Sequence, residues 1–168
     1  MYSIRFHGRG GQGMKTASRI LGSAFFLEGF EVQDAPRYGA ERRGAPIFAY
    51  VRASRQAINE RGIIHHPDLV VVADDSLVPI PAAGVLQGMD AHTLTLINSH
   101  TSAADWQQRL NLAGTVLTLP AMEEVEDRAE LPFVGTTCAG AAARLVGVIS
   151  RDALAGAIQA ELGALGAQ

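Results

Sequence analysis

This sequence predicts an α/β domain of three layers, Rossmann-like, around a mostly parallel and partly mixed sheet. Three observations carry that expectation. The chain opens with a strand-like run, a glycine-dense hexad and a long amphipathic run, in the order strand, loop, helix. Leu69-Val70-Val71-Val72-Ala73 is apolar without alternation, the pattern of an inner, parallel strand, and Leu94-Thr95-Leu96-Ile97-Asn98 reads as another. The 168 residues, 48% hydrophobic, suffice for one core, and no linker or internal repeat divides them, so residues 1–168 are expected to form a single domain.

Taken in order, Tyr2-Ser3-Ile4-Arg5-Phe6-His7 alternates as a strand. Gly8-Arg9-Gly10-Gly11-Gln12-Gly13 then places four glycines in six positions. Met14, Ala17, Leu21, Ala24 and Phe25 follow at helical spacing, with Ile20 and Leu27 widening the stripe. Glycines let the backbone bend where a Cβ would clash, and the first N–H groups of the helix point into the loop. The result is an anion-binding corner whose candidate residues are Gly8, Arg9, Gly10, Gly11, Gln12 and Gly13.

Gly29 is a natural stop for this helix, and Phe30-Glu31-Val32-Gln33-Asp34 alternates as a half-buried strand. Residues 35–45 carry no apolar period and read as a functional loop, and a strand begins near Pro46. A short edge strand is expected within 53–64. After Ala73, Asp75 or Ser76 caps a helix that Pro79 and Pro81 keep short. Ser102-Ala103-Ala104-Asp105 matches a capping box opening a helix through Leu110, and residues 115–119 read as a strand. An acidic loop with Glu123, Glu124, Glu126 and Asp127 precedes a small-residue helix over 136–149. Ser150 or Asp152 caps a last helix ending near Leu162.

Composition excludes several chemistries. A net charge of −3 argues against a nucleic-acid-binding protein as a whole. No apolar run approaches the roughly 20 residues of a membrane span, and no basic-then-apolar leader is present, so a cytoplasmic location is expected. Cys138 is the sole cysteine, which rules out an internal disulfide and a cluster held by four thiolates of this chain. Its Ala/Gly/Val surroundings suit a buried, inert thiol. His65 and His66 are adjacent and point apart, Asp74-Asp75 reads as a strand end and a cap, and no Gly-x-Ser-x-Gly elbow exists. No catalytic residue and no metal ligand is expected. Lys15 is the single lysine, whereas Arg37, Arg42, Arg43, Arg52, Arg55 and Arg61 crowd into one stretch, which points to an anion or a partner surface.

Gly8, Gly10 and Gly13 also fit G-x-G-x-x-G, and Asp34 lies about 20 residues on, as a dinucleotide site requires. Such a unit needs a crossover helix before its third strand, and residues 35–45 do not supply one.

Two longer motifs, Gly-Arg-Gly-Gly-Gln-Gly and Pro36-Arg37-Tyr38-Gly39-Ala40-Glu41-Arg42-Arg43-Gly44-Ala45-Pro46, precede a strand ending Tyr50-Val51-Arg52-Ala53-Ser54. Together they resemble the gamma subunit of the 2-oxoacid:ferredoxin oxidoreductases, the family that acts on pyruvate, ketoisovalerate, indolepyruvate and phenylglyoxylate. The similarity is clear over the first third of the chain and fold-like through residues 68–98. The resemblance implies a multi-subunit enzyme in which thiamine diphosphate with Mg and iron–sulfur clusters reside on other subunits and coenzyme A takes the acyl group. Electrons would pass to ferredoxin, or to NAD through an added flavin subunit. It further implies that this chain is inactive alone. Its glycine loop would receive a phosphate, such as that of coenzyme A, or a partner's carboxylate. Arg37, Tyr38, Gly39, Glu41, Arg42, Arg43 and Gly44 would meet the thiamine-binding subunits, with Glu41 neutralising one arginine. The competing classes are a free-standing NAD(P)-dependent oxidoreductase and a nucleotide- or acyl-CoA-binding module.

Overall fold

Ile4 and Phe6 alternate with Arg5 and His7 along the first strand, and the two sets face opposite layers of the protein. The computed structural model describes residues 1–37, 44–111, 114–119 and 134–166. The strands are β1 (Tyr2–Arg9), β2 (Glu31–Arg37), β3 (Pro46–Ser54), β4 (Leu69–Val72), β5 (Leu94–Ile97) and β6 (Thr115–Thr118). The helices are α1 (Met14–Leu27), α2 (Ala103–Leu110), α3 (Gly135–Val146) and α4 (Arg151–Gly166), with 3-10 turns at Asp75–Leu77 and Pro81–Ala83.

The sheet order is β2-β3-β1-β4-β5-β6. From β1 through β4 and β5 to β6 the pairs are parallel, whereas β1–β3 and β3–β2 are antiparallel. The mixed character is therefore larger than a single edge, and β1 joins the two halves. On one face Ile4, Phe6, Val51 and Val71 pack under α1, α3 and α4. On the other, Val70, Val72, Ile97 and Val116 pack with Leu77, Val85 and Trp106. The three-layer expectation holds.

Local departures have local causes. β1 continues through Gly8 and Arg9 because they pair with Ile47 and Pro46. β2 runs on to Arg37, pairing with Phe48. No strand forms at 55–64: β2 already occupies the place beside β3, and side chains rising from the sheet hold that segment by its carbonyls instead. Gln33 Nε2 donates to Ile58 O and Glu60 O, Arg52 Nη1 to Gly62 O, and Arg5 Nη1 to Ile64 O. The cap after β4 is Asp74, which accepts from Ser76 N, rather than Asp75 or Ser76. α3 ends early because Gly147 adopts φ 72°. Ser150 Oγ accepts from Ala153 N and caps α4. The acidic loop lies outside the described residues.

His7 is 3% exposed, and its Nε2 has no hydrogen-bond partner among the described residues. Burial, assisted by Arg5, pushes its pKa down from the usual 6.5 to about 3. The native state thus keeps this imidazole neutral while the unfolded chain protonates it below about pH 6.5. Stability should be intact above that pH and fall by ~1.4 kcal/mol per unit as pH drops from 6.5 toward 3. In urea titrations at pH 7 and pH 5, wild type is expected to lose about 2 kcal/mol more than His7→Phe. Equal losses would show that another group sets the slope.

Candidate functional site

Outside the carboxyl ends of β1 and β4 the chain parts. α1 leaves β1 toward one face of the sheet, and the turn Asp75–Leu77 leaves β4 toward the other. Such a switch point opens a crevice where α/β sheets take ligands. The glycine loop forms one wall. Gly11 and Gly13 have φ of 101° and 84°, a region that side chains with a Cβ enter only with strain. At Gly8 a Cβ would come within 2.6 Å of Met14 Cγ.

The loop is largely closed on itself. Arg9 N donates to Gln12 Oε1 at 2.8 Å, and Gln12 N donates to Arg9 O at 3.0 Å. Gly10 N donates to Ala45 O and Gly44 N to Gly10 O, which ties the loop to the entry of β3. Val134 N donates to Gln12 O, and a Cβ on Gly135 would lie 2.4 Å from Gly13 O, so α3 begins in backbone contact with the loop. The N–H groups of Gly11 and Gly13 find no acceptor among the described residues, and Gly13 brings no side-chain cap to α1. Backbone donors left open at the start of a helix are what an anion site needs.

Arg9 is committed in three directions. Its Nε meets Asp74 Oδ2 at 2.8 Å, Nη1 donates to Gly44 O at 3.0 Å, and Nη2 donates to Ser76 Oγ at 2.9 Å. Asp74 Oδ1 in turn accepts from Ser76 N. One guanidinium therefore joins the end of β1, the end of β4 and the base of the arginine-rich segment. Beyond it, Asn98 Nδ2 donates to Ala73 O, and Ser99 Oγ bridges Asp75 and Trp106 Nε1. Sequence reasoning took Asp74, Asp75 and Ser76 as a strand end and caps and so missed them as the second wall. Their position after an inner strand was the available signal.

The structure brings Gly8, Arg9, Gly10, Gly11, Gln12, Gly13 and Gly44 together. Arg37 closes β2, while Tyr38, Gly39, Glu41, Arg42 and Arg43 lie outside the described residues. The remaining arginines divide. Arg55 stacks 3.8 Å from the Phe30 ring centroid and donates to Glu28 O, Arg52 is buried, and Arg61 is exposed. Asp34 sits on edge strand β2, with β3 between it and β1. Its carboxyl lies beside Ser18, and burial raises its pKa. It is thus two strands from the glycine loop, and β2 and β3 are antiparallel neighbours with no crossover. A dinucleotide reading loses both its acid and its connection. Cys138 is buried, its thiol pushed up to about 12 by desolvation. No cluster of three or more His, Cys, Asp or Glu among the described residues is arranged to hold a metal.

Pyruvate ferredoxin/flavodoxin oxidoreductase is the family whose profile matches residues 3–168, and the chain belongs to that family. Within it, the chain is 37% identical over 164 residues to the common subunit gamma of the Pyrococcus furiosus pyruvate/ketoisovalerate oxidoreductases, covering 95% of this chain and 85% of that one. It is 36% identical over 154 residues to pyruvate synthase subunit PorC of Methanothermobacter marburgensis, covering 92% and 82%. The crystal structure of the pyruvate oxidoreductase subunit PORC from Thermotoga maritima superposes with a TM-score of 0.74 at 31% identity, over 91% of this chain and 80% of that one.

Proposed function

We propose that this chain is the gamma subunit of a multi-subunit 2-oxoacid:acceptor oxidoreductase, which oxidatively decarboxylates a 2-oxoacid and forms an acyl-coenzyme A. The observation that carries this reading is the 37% identity to a gamma subunit along nearly the whole chain. The residues present agree with a non-catalytic role. One buried cysteine does not fit an iron–sulfur cluster, and no Gly-Asp-Gly segment offers a thiamine diphosphate and Mg site, so those groups belong to other subunits.

What remains for this chain is positioning. The donors of Gly11 and Gly13, which have no acceptor among the described residues, suit an oxyanion, either a phosphate of coenzyme A or a carboxylate of a partner. The segment 37–44 is the surface offered to the thiamine-binding subunits, since Arg and Tyr are enriched where interfaces concentrate their energy. Its base at Gly44 is held by Arg9 and Gly10. A ferredoxin-like subunit and ferredoxin, or NAD through a flavin subunit, complete the electron path. The reading places the complex in the cytoplasm; no helix among the described residues is long and apolar enough to cross a membrane.

Purified from its native source, the chain is expected to bring thiamine-binding and iron–sulfur subunits with it, whereas the isolated chain should bind neither iron nor thiamine diphosphate and show no 2-oxoacid oxidation with a dye acceptor. Native mass spectrometry and iron analysis check both. A lone, active chain, or one carrying stoichiometric iron, would overturn the assignment.

A further inference from the structure

On the sheet face opposite α1, two buried arginines stand without an ion pair among the described residues. They are Arg5 and Arg52, 3% and 7% exposed. Arg5 donates to the carbonyls of Ile64 and Val85, and Arg52 Nη1 to Gly62 O and, at 3.5 Å, to Gln33 Oε1. These acceptors are neutral, so among the described residues the two buried positive charges have no charged partner, where buried charges are ordinarily paired.

Above Arg52 lies a groove of about 600 Å³ lined by Gln33, Tyr50, Arg52, Arg61 and Gly62. Arg52 Nε and Nη2 have no acceptor among the described residues. Arg61 is exposed beside them and makes no hydrogen bond or ion pair among the described residues. Asp34 reaches the rim of this groove, but its carboxyl is turned to Ser18 on the α1 side. The walls are well anchored, because Gln33 and Arg52 hold residues 58–62 by their carbonyls, and Arg61 lies within that tethered stretch.

We infer that this groove is a second oxyanion site, separate from the glycine loop, in which Arg52 and Arg61 grip a carboxylate or phosphate as a two-armed clamp. Arginine is suited to the task because its planar fork meets two oxygens at once and its weak hydration tolerates a half-buried position. The groove lies at edge strand β2, whereas the glycine loop lies at the carboxyl ends of β1 and β4, so the two sites can be occupied independently. The anion is either free in solution or the acidic side chain of a neighbouring subunit.

Two arms of one experiment separate these sources. In the first, inorganic phosphate is titrated into the isotopically labelled full chain at constant ionic strength. A free-anion site predicts saturable NMR shifts at Gln33, Arg52 and Arg61, with affinity at least tenfold weaker in Arg61→Gln. That variant removes an exposed, unpartnered side chain and should fold normally. In the second, Arg61→Glu is tested in assembly with the co-purifying subunits, an arm that rests on the proposed function. A neighbour's carboxylate predicts at least tenfold weaker assembly and recovery with Arg61→Lys. Either result supports the site. No saturation by phosphate together with unaltered assembly, or with no partner to assemble, would overturn it. The first arm reads the isolated chain, so the absence of partner subunits would count against the functional assignment without touching a positive phosphate result.

Discussion

Gly135→Val is expected to destabilise the protein by about 3 kcal/mol or more, seen as a fall in Tm of roughly 6–12 °C. Even the first atom of a side chain at this position would stand 2.4 Å from Gly13 O and 3.1 Å from Gly13 C. Both obstacles are backbone, so no rotamer change relieves the clash. α3 would have to lift from the glycine loop, breaking the bond from Val134 N to Gln12 O and uncovering Ala139 and Cys138. Gly140→Ala supplies the control on the same helix. A Cβ there meets nothing within 4 Å, and replacing a helical glycine with alanine should stabilise by about 0.5–1 kcal/mol. Thermal unfolding of the two variants decides the matter; similar small changes would mean that α3 does not press on the loop.

Arg9→Met is expected to cost about 2–3 kcal/mol. Breaking a fully buried pair costs more, but the Arg9 and Asp74 side chains are 25% and 17% exposed, and water recovers part of the loss. Asp74→Asn should cost less, because its amide still accepts from Ser76 N, and the double variant should cost less than the sum of the two. Arg9→Lys should rescue little, since one ammonium cannot reach Asp74, Ser76 and Gly44 together as the fork does. The opposite outcome is informative. If Arg9→Met leaves Tm unchanged and only weakens coenzyme A binding in the complex, then Arg9 serves the ligand and not the frame.

The glycine hexad was legible in the sequence because its signal is local. A glycine hexad between a strand and an amphipathic helix announces its geometry within about 20 residues, and the context rule for such motifs uses nothing more distant. Arg9 shows where that reach ends. In sequence it is one more basic residue in a loop, free to meet a ligand; in the structure its partners come from the entry of β3 and from just past β4, 35 and 65 positions away. Asp34 failed as a dinucleotide acid for the same reason, since spacing along the chain does not say which strand lies beside β1.

The edge strand expected at 53–64 illustrates a further limit. The apolar pairs Ala57-Ile58 and Ile63-Ile64 between polar residues suggested pairing, but β2 had already taken the open side of β3, and Gln33, Arg52 and Arg5 seized the carbonyls of that segment. Competition for a sheet edge is settled between elements, not within one.

By itself, then, the sequence determined most of the stretches that become strands and helices, that β4 and β5 are inner and parallel, that one cysteine cannot hold a cluster, and which family the chain resembles, because periodicity, composition and motif are properties of neighbouring residues. Only the tertiary structure decided the order β2-β3-β1-β4-β5-β6, the binding of Arg9 to Asp74, Ser76 and Gly44, and the gathering of Arg5, Arg52 and Arg61 on one face. Those depend on which elements become neighbours, and that choice is made by burying shared apolar faces and satisfying backbone groups across the whole chain.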